Sequence, residues 1–382
     1  PLGLYLQGVD GTNTLNEITK SAINGGAPEV PRETLDELMG RLDDMLLLSN
    51  GKYSVEIEQL RDDFRSAPER TPALADLAYP SDTDDLRGYL DGFAFPYMND
   101  DAMADDDLAA DVDVELKAIV SPHIDFERGG DSYGMIWEQV RDQLKDVELF
   151  VVFGTDHNGE GPRLTLTNQD YRSPLGMLET DTELVNEIAK ILSTDNTIDD
   201  HPFADEFNHA NEHSIELATV WLHRAVGNSD AKMLPILCGS FGELLEDGAS
   251  NIDDHPEISR VVRLLQSVSA ERRTMFIAAA DLAHVGPAFG DTELMPKDSE
   301  DRRRVEAEDE VLLEAIVNGS RSRFFEAVKN NEDRNRICGL APIYMTLWAA
   351  DTTIGTWNGY QQCQADEDDT SFVSIAGAAL FG

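Results

Sequence analysis

Three stretches, Leu116-Lys-Ala-Ile-Val-Ser-Pro-His123, Leu149-Phe-Val-Val-Phe-Gly-Thr-Asp-His157 and Met275-Phe-Ile-Ala-Ala-Ala-Asp-Leu-Ala-His284, share one pattern. Each is a short apolar run of strand length that meets a histidine within about four residues of its end. Helical patterns separate and follow these runs, at Tyr133–Leu144, Thr182–Leu192, Ser214–Arg224, Ile258–Ser267, Asp301–Asn318, Arg321–Lys329 and Pro342–Ala350. A further strand is expected at Met233–Leu237, and a late pair near Thr353–Tyr360 and Phe372–Ala379. Strands alternating with helices predict an α/β fold with a mainly parallel central sheet and helices on both faces. In such sheets ligands bind at the carboxyl ends of the strands. Three parallel strands would therefore deliver three imidazoles to one edge.

A single histidine after a strand is usually a hydrogen-bonded turn residue; three of the chain's eight in that position are harder to dismiss. Neutral imidazole is the commonest protein metal ligand and also a general acid or base near neutral pH. Two imidazoles and one anionic group leave a metal with open positions. Candidates for the anionic group are Asp125, Asp156, Glu212, Asp281 and Cys338. Cys338 precedes a predicted helix, whose N-terminus is expected to lower its thiol pKa. His213 sits at an expected helix start, where capping competes with a role in the site. His201, His209, His223 and His255 have no such setting. No Gly-rich phosphate loop, nucleophile-elbow serine or CxxC pair is present.

Outward from this core, residues 1–65 read as a separate small module and 66–382 as the main domain. Helices are expected around Leu15–Ile23 and Leu35–Leu46, broken by Gly25-Gly26. Asn50-Gly51, with Leu47-Leu48 before it and Tyr53 and Val55 after it, reads as a hairpin. Helices followed by a hairpin suggest a winged-helix-like unit, similar to peptide-binding domains of the PqqD type. A charged helix around Glu56–Arg65 leads out of it, and Asn99–Asp113, mostly Asp and Ala, reads as a solvated linker.

The 382 residues carry 74 Asp plus Glu against 30 Lys plus Arg, a formal net charge of −44. Such a surface repels phosphate backbones and argues against nucleic-acid partners. Self-repulsion at this density is relieved by screening salt, so a halophilic setting is expected. No apolar run approaches the roughly 20 residues needed to cross a bilayer, and no basic-then-apolar leader opens the chain. Three unpaired-looking cysteines argue for a reducing compartment; the expected location is cytoplasmic.

Eight segments stand together in one order: Arg70-Thr-Pro-Ala-Leu-Ala…Tyr79-Pro80, Ser121-Pro122-His123, Gly154-Thr-Asp-His157, Arg172-Ser-Pro-Leu175, Glu212-His213-Ser214-Ile-Glu216, Asp281-Leu-Ala-His284-Val-Gly286, Cys338-Gly339…Pro342-Ile343 and Ser371-Phe-Val-Ser374. In this order they resemble Memo proteins, the prokaryotic members of which are called AmmeMemoRadiSam system protein B. The resemblance spans roughly residues 70–382 and implies a fold similar to class III extradiol dioxygenases. It implies that His123, His157 and Cys338 hold a metal, with Fe(II) first and Cu or Zn as alternatives. It further implies that Asp281 and His284 form an Asp…His pair beside the metal, and that Glu212 and His213 line the cleft. AMMECR-type and radical SAM proteins would be partners by the same resemblance, beside an unidentified small-molecule or peptide substrate.

The sequence departs from the family pattern after each ligand histidine: Ile124-Asp125-Phe126 replaces Ala-Gly-aromatic, and Thr155-Asp156-His157-Asn158 replaces Pro-Ser-His-His. Both changes bring an extra carboxylate toward the site. Three functions follow as expectations. One is a redox, dioxygenase-like enzyme with His284 moving protons; another is a metal-binding or scaffold protein without turnover; the third is a hydrolase using Cys338 as nucleophile and His284 as base.

Overall fold

A computed structural model describes residues 2–96, 114–193, 201–227, 229–246 and 252–382. The Asn99–Asp113 segment, read above as a linker, lies outside the described residues. The chain divides into two compact units, Pro1–Ser66 and Ala67–Gly382.

The first unit contains helices Leu2–Leu6, Leu15–Asn24, Arg32–Asp44 and Gly51–Ser66. Tyr5, Ile18, Ala22, Ala27 and Leu35 form its small core. Helix Leu15–Asn24 starts on a capping box, in which the Thr14 side chain accepts from Glu17 N–H and the Glu17 carboxylate accepts from Thr14 N–H. The expected hairpin is not formed. Asn50 does not turn the chain back; its side-chain oxygen accepts the N–H of Lys52 at 2.9 Å and of Tyr53 at 3.1 Å. That is the bonding of a helix N-cap, and the helix Gly51–Ser66 follows where two strands were expected. Asn-Gly is a hairpin signal only when flanked by paired strands. With no strand among the described residues before Glu69, the winged-helix reading fails.

The second unit is built on a mixed sheet. Its strands in chain order are β1 (Glu69–Arg70), β2 (Leu116–Ser121), β3 (Leu149–Thr155), β4 (Leu164–Leu166), β5 (Asp170–Ser173), β6 (Gly176–Leu178), β7 (Lys232–Cys238), β8 (Thr274–Ala279), β9 (His284–Val285), β10 (Ile354–Gln364) and β11 (Phe372–Phe381). The eight-stranded sheet runs β10-β11-β2-β8-β3-β7-β4, with β9 paired to β11. Its centre, β2-β8-β3-β7, is parallel. The flanks are antiparallel: β10–β11 and β11–β2 on one side, β4–β7 on the other. The parallel expectation therefore holds for the centre alone, since the late pair is a hairpin added to the edge at β2. A small separate sheet orders β1-β5-β6. Neither it nor β4 was anticipated, because strands of two to four residues leave almost no periodic signal.

Alternate strand residues bury against opposite layers. Val151, Phe153, Leu234, Ile236, Phe276 and Ala278 enter one core cluster, with residues of helices Thr182–Leu192, Pro256–Glu271, Glu300–Val317, Arg321–Asn330 and Leu340–Ala350. Phe150, Val152, Met233, Met275 and Ile277 enter the other, with residues of helices Thr83–Ala94, Phe126–Val140 and His213–Val226. Covering on both faces explains why the central strands read as unbroken apolar runs. It also leaves one edge, the carboxyl ends of β2, β8 and β3, where polar side chains can gather.

Candidate metal centre

His123 follows β2 and is almost wholly buried. Its ring orientation is set by its neighbour strand: Nδ1–H donates to the Ala279 carbonyl at the end of β8, at 3.0 Å. The carbonyl can only accept, so Nε2 is left bare. Its backbone N–H donates to Asp281 Oδ1 at 2.7 Å, and Ile124 N–H reaches the same oxygen at 3.3 Å. Burial, and then the neighbouring imidazoles, pushes the His123 pKa well below its ordinary value, which keeps the ring neutral and able to bind a cation.

His157 follows β3. Glu212, a buried carboxylate, accepts its Nδ1–H at 3.0 Å and its backbone N–H at 3.1 Å. Glu212 is also the N-cap of helix His213–Val226, accepting Ser214 N–H at 3.0 Å. His213 Nδ1 lies 3.2 Å from the same carboxylate. Burial alone would raise the Glu212 pKa, but its bonds to the His157 and His213 imidazoles hold it well below the usual carboxylate range. His213 is shifted the other way: burial opposes its charge, and Glu212 more than compensates. The His157 and His213 rings stack, with centroids 4.7 Å apart. Carboxylate–histidine pairs of this kind fix the tautomer of a metal ligand and leave the far nitrogen free.

Cys338 completes the group. Its Sγ lies 3.2 Å from His123 Nε2. One donor atom each from His123, His157 and Cys338 lie within 4.8 Å of one another. His157, Glu212 and His213 satisfy the same criterion. Glu212 already accepts two amide protons as well as the imidazole protons, so we read that second set as support for the first. Gly339 lets the cysteine loop close on the sheet edge: its N–H donates to the Asp281 carbonyl at 3.1 Å, and a Cβ there would lie 2.4 Å from that oxygen. The thiol does not behave as expected from a helix N-terminus. Burial, and then the charge of Asp281, pushes its pKa well above the ordinary value. Helix Leu340–Ala350 starts two residues later, but burial and the Asp281 charge set the direction of the shift. The protein by itself thus holds a neutral thiol, which a metal would deprotonate.

The remaining candidates divide. Asp281 is buried, spends Oδ1 on the turn after β2, and has Oδ2 3.7 Å from His123 Nε2; burial raises its pKa. His284 lies in β9, its Nδ1–H donating to the Leu282 carbonyl at 3.1 Å and its ring edge-on to Phe289. Burial lowers its pKa to about 4. It shares a cavity wall with His157 and Cys338 but is not a member of either ligand group. The two extra carboxylates turn away from ligation. Asp125 caps helix Phe126–Val140 and pairs with Arg128 at 2.6 Å. Asp156 accepts from the Asn208 amide at 3.0 Å and from Thr165 at 3.3 Å.

Sequence reasoning missed the layer behind these residues. Arg70 and Glu216 form a buried ion pair at 2.5 Å, each side chain 1% exposed. Arg70 also donates to the backbone carbonyls of His209 at 2.8 Å and Glu212 at 3.0 Å. Glu216 accepts from Ala73 and Leu74 N–H, both at 2.9 Å, and from the Tyr79 hydroxyl. Two of the eight quoted segments are therefore one object, a clamp that fixes the backbone under Glu212. A third, Ser371–Ser374, serves β8's loop: Ser374 Oγ accepts Ala283 N–H at 2.8 Å. His209 and His223, set aside as ordinary, are buried and bonded to Tyr171 and Ser173 hydroxyls.

Comparison with known proteins bears on this geometry. The family described as Memo-like protein matches residues 70–379. Among curated relatives, a protein of Aquifex aeolicus called "MEMO1 family protein" is 22% identical over 380 residues, covering 98% of this chain and 89% of that protein. Such an alignment necessarily extends into the N-terminal unit. A protein of the same description from Archaeoglobus fulgidus is 25% identical over 279 residues, 73% of this chain and 86% of its own. Another, from Methanococcoides burtonii, is 28% identical over 208 residues, 54% and 65% respectively.

Proposed function

The chain belongs to the Memo-like protein family, and on that premise we propose that it is a metalloprotein in which His123, His157 and Cys338 hold one transition-metal ion for redox chemistry at the strand ends. The observation that supports this most is the division of labour on the two rings: each Nδ1–H is consumed by a fixed oxygen, Ala279 O or Glu212, while His123 Nε2 faces the Cys338 sulfur. Two imidazoles and a thiolate suit Fe(II), Cu or Zn and disfavour Mg or Ca. Fe(II) is our first choice by family resemblance. When bound, such a metal supplies Lewis acidity and, as iron or copper, electron transfer at an open position. The protein's own part is to hold His123 neutral by burial, to orient His157 through Glu212, and to border the centre with a cavity that His284 shares.

The hydrolase reading is weaker on this geometry. Its nucleophile would be a thiol whose pKa is raised, and the imidazole in contact with the sulfur belongs to His123, not to His284. Metal analysis of anaerobically purified protein tests the proposal. About one equivalent of iron, copper or zinc is expected, and Cys338→Ala should lose most of it while folding normally. Metal-free wild-type protein that does not take up Fe(II), Cu(I) or Zn(II) on titration would end the reading. Oxygen consumption by the iron-loaded protein separates a redox enzyme from a metal-holding scaffold.

A further inference from the structure

A cavity of about 390 Å³ borders the candidate ligands, its wall including His157, Cys338 and His284. Phe241, Phe289, Ile337 and Leu340 give it an apolar lining. Three other charged side chains line it: Asp156, Asp333 and Arg336. Two are already committed. Asp156 accepts from Asn208, Thr165 and the Asn158 N–H. Arg336 donates through Nε to the His284 carbonyl at 3.0 Å and pairs with Asp291 at 2.5 Å; its charge also acts on Asp333, though less strongly than burial does.

Asp333 is different. Its Oδ1 accepts Ile337 N–H at 2.8 Å, while its Oδ2 has no hydrogen-bond partner among the described residues. The residue is only partly exposed, and burial pushes its carboxyl pKa up, so the charge is poorly solvated. The backbone that holds it there is strained: Glu332, Asp333 and Arg336 have φ of 57°, 46° and 51°. Three non-glycine residues in the left-handed region within five positions is a conformation that persists where a loop must present its side chains in one place.

We propose that this cavity is the substrate pocket of the site and that it takes a small organic cation, the ammonium group on Asp333 and the apolar body against Phe241 and Leu340. This rests on the metal reading only for which end of the ligand reacts. A cation gains from a half-desolvated carboxylate far more than it would in water. An anion would meet Asp333 and Asp156 with no unpaired guanidinium to answer it.

The test compares three molecules with the same branched alkyl body, isoamylamine, isoamyl alcohol and isovalerate, binding to metal-free full-length protein by saturation-transfer NMR. Removing metal keeps isovalerate from simply ligating it, and makes the outcome independent of whether the metal assignment stands. The amine should bind at least tenfold more tightly than isovalerate, in molar salt as in low salt. Asp333→Asn should bring the amine down to the affinity of the alcohol. Asparagine keeps an acceptor for Ile337 N–H, and the wild-type ranking needs no variant at all. Non-specific attraction to a surface of net charge −44 would survive the loss of one charge and vanish in salt. That result, equal or tighter binding of isovalerate, or no binding of any of the three would overturn the proposal.

Discussion

Two neighbouring regions of the second unit handle buried polarity in opposite ways. In the Arg70–Glu216 clamp every charged group meets a fixed partner: guanidinium to carboxylate and to two carbonyls, carboxylate to two amides and a hydroxyl. At the strand-end crevice the rings of His123 and His157 are fixed through one nitrogen each, and one ring nitrogen of each lies within 4.8 Å of the other and of the Cys338 sulfur. A satisfied network rigidifies a fold; an incompletely satisfied one invites a ligand. The two meet at Glu212, whose backbone belongs to the clamp and whose carboxylate belongs to the crevice.

The sharpest way to break this contrast is to open the clamp. Removing one member of a buried ion pair leaves the other uncompensated and costs about 3–5 kcal/mol. Arg70→Ala should therefore lower stability by about that amount in a denaturant melt, and a loss near zero would mean the pair is not buried in solution. Replacing Cys338 by Ala at the crevice should leave the melt nearly unchanged. If both variants behave alike in stability, the division between the regions is wrong.

Glu212→Gln probes the junction. Glutamine can still accept one bond but loses the charge that holds His157 in its tautomer. Such orienting partners are worth about 10–100-fold in metal affinity. Competition with a chelator should show that loss for Zn(II), with the capping role partly kept through the amide oxygen. An unchanged affinity would detach Glu212 from the crevice.

How much of this was legible beforehand follows from the range over which each signal acts. A strand and the histidine just beyond it lie within ten residues, so β2, β3 and β8 and their polar tips could be read directly from apolar runs. Helix Thr182–Leu192 was anticipated residue for residue for the same reason: its apolar spacing is local. The clamp could not be read this way. Arg70 reaches Glu212 across 142 positions, and nothing near Arg70 says that it is buried. Family resemblance flagged both segments without saying that they touch. Asn50-Gly51 failed for a complementary reason: a turn signal and a helix cap use the same asparagine oxygen, and only the following residues decide between them. The raised thiol pKa of Cys338 depends on depth and on Asp281, 57 positions away, neither of which the adjoining helix start could report.

A pH series sharpens the crevice alone. His123 is kept neutral by burial and Glu212 ionised by its imidazole partners, so neither should exchange protons with metal near or above neutral pH. The raised Cys338 thiol must lose a proton to bind. Metal affinity should therefore rise with pH by up to about tenfold per unit between about pH 7 and 9, about 1.4 kcal/mol per unit. In Cys338→Ala that slope should flatten. A slope that survives the substitution would assign the released proton elsewhere.

The smallest effect tests whether the regions are separable at all. Tyr79→Phe removes one hydroxyl from Glu216 and leaves Arg70 and the Ala73 and Leu74 amides in place. A hydrogen bond to a charged group contributes about 1.5–3 kcal/mol, and three remaining partners should bring the loss to about 1 kcal/mol. Because the Glu212 carbonyl is still held by Arg70, Zn(II) affinity should stay within about twofold, well inside the effect of the junction substitution. Stability and affinity falling together in this mild variant would show that the clamp transmits strain to His157, and that the crevice is only as stiff as the layer beneath it.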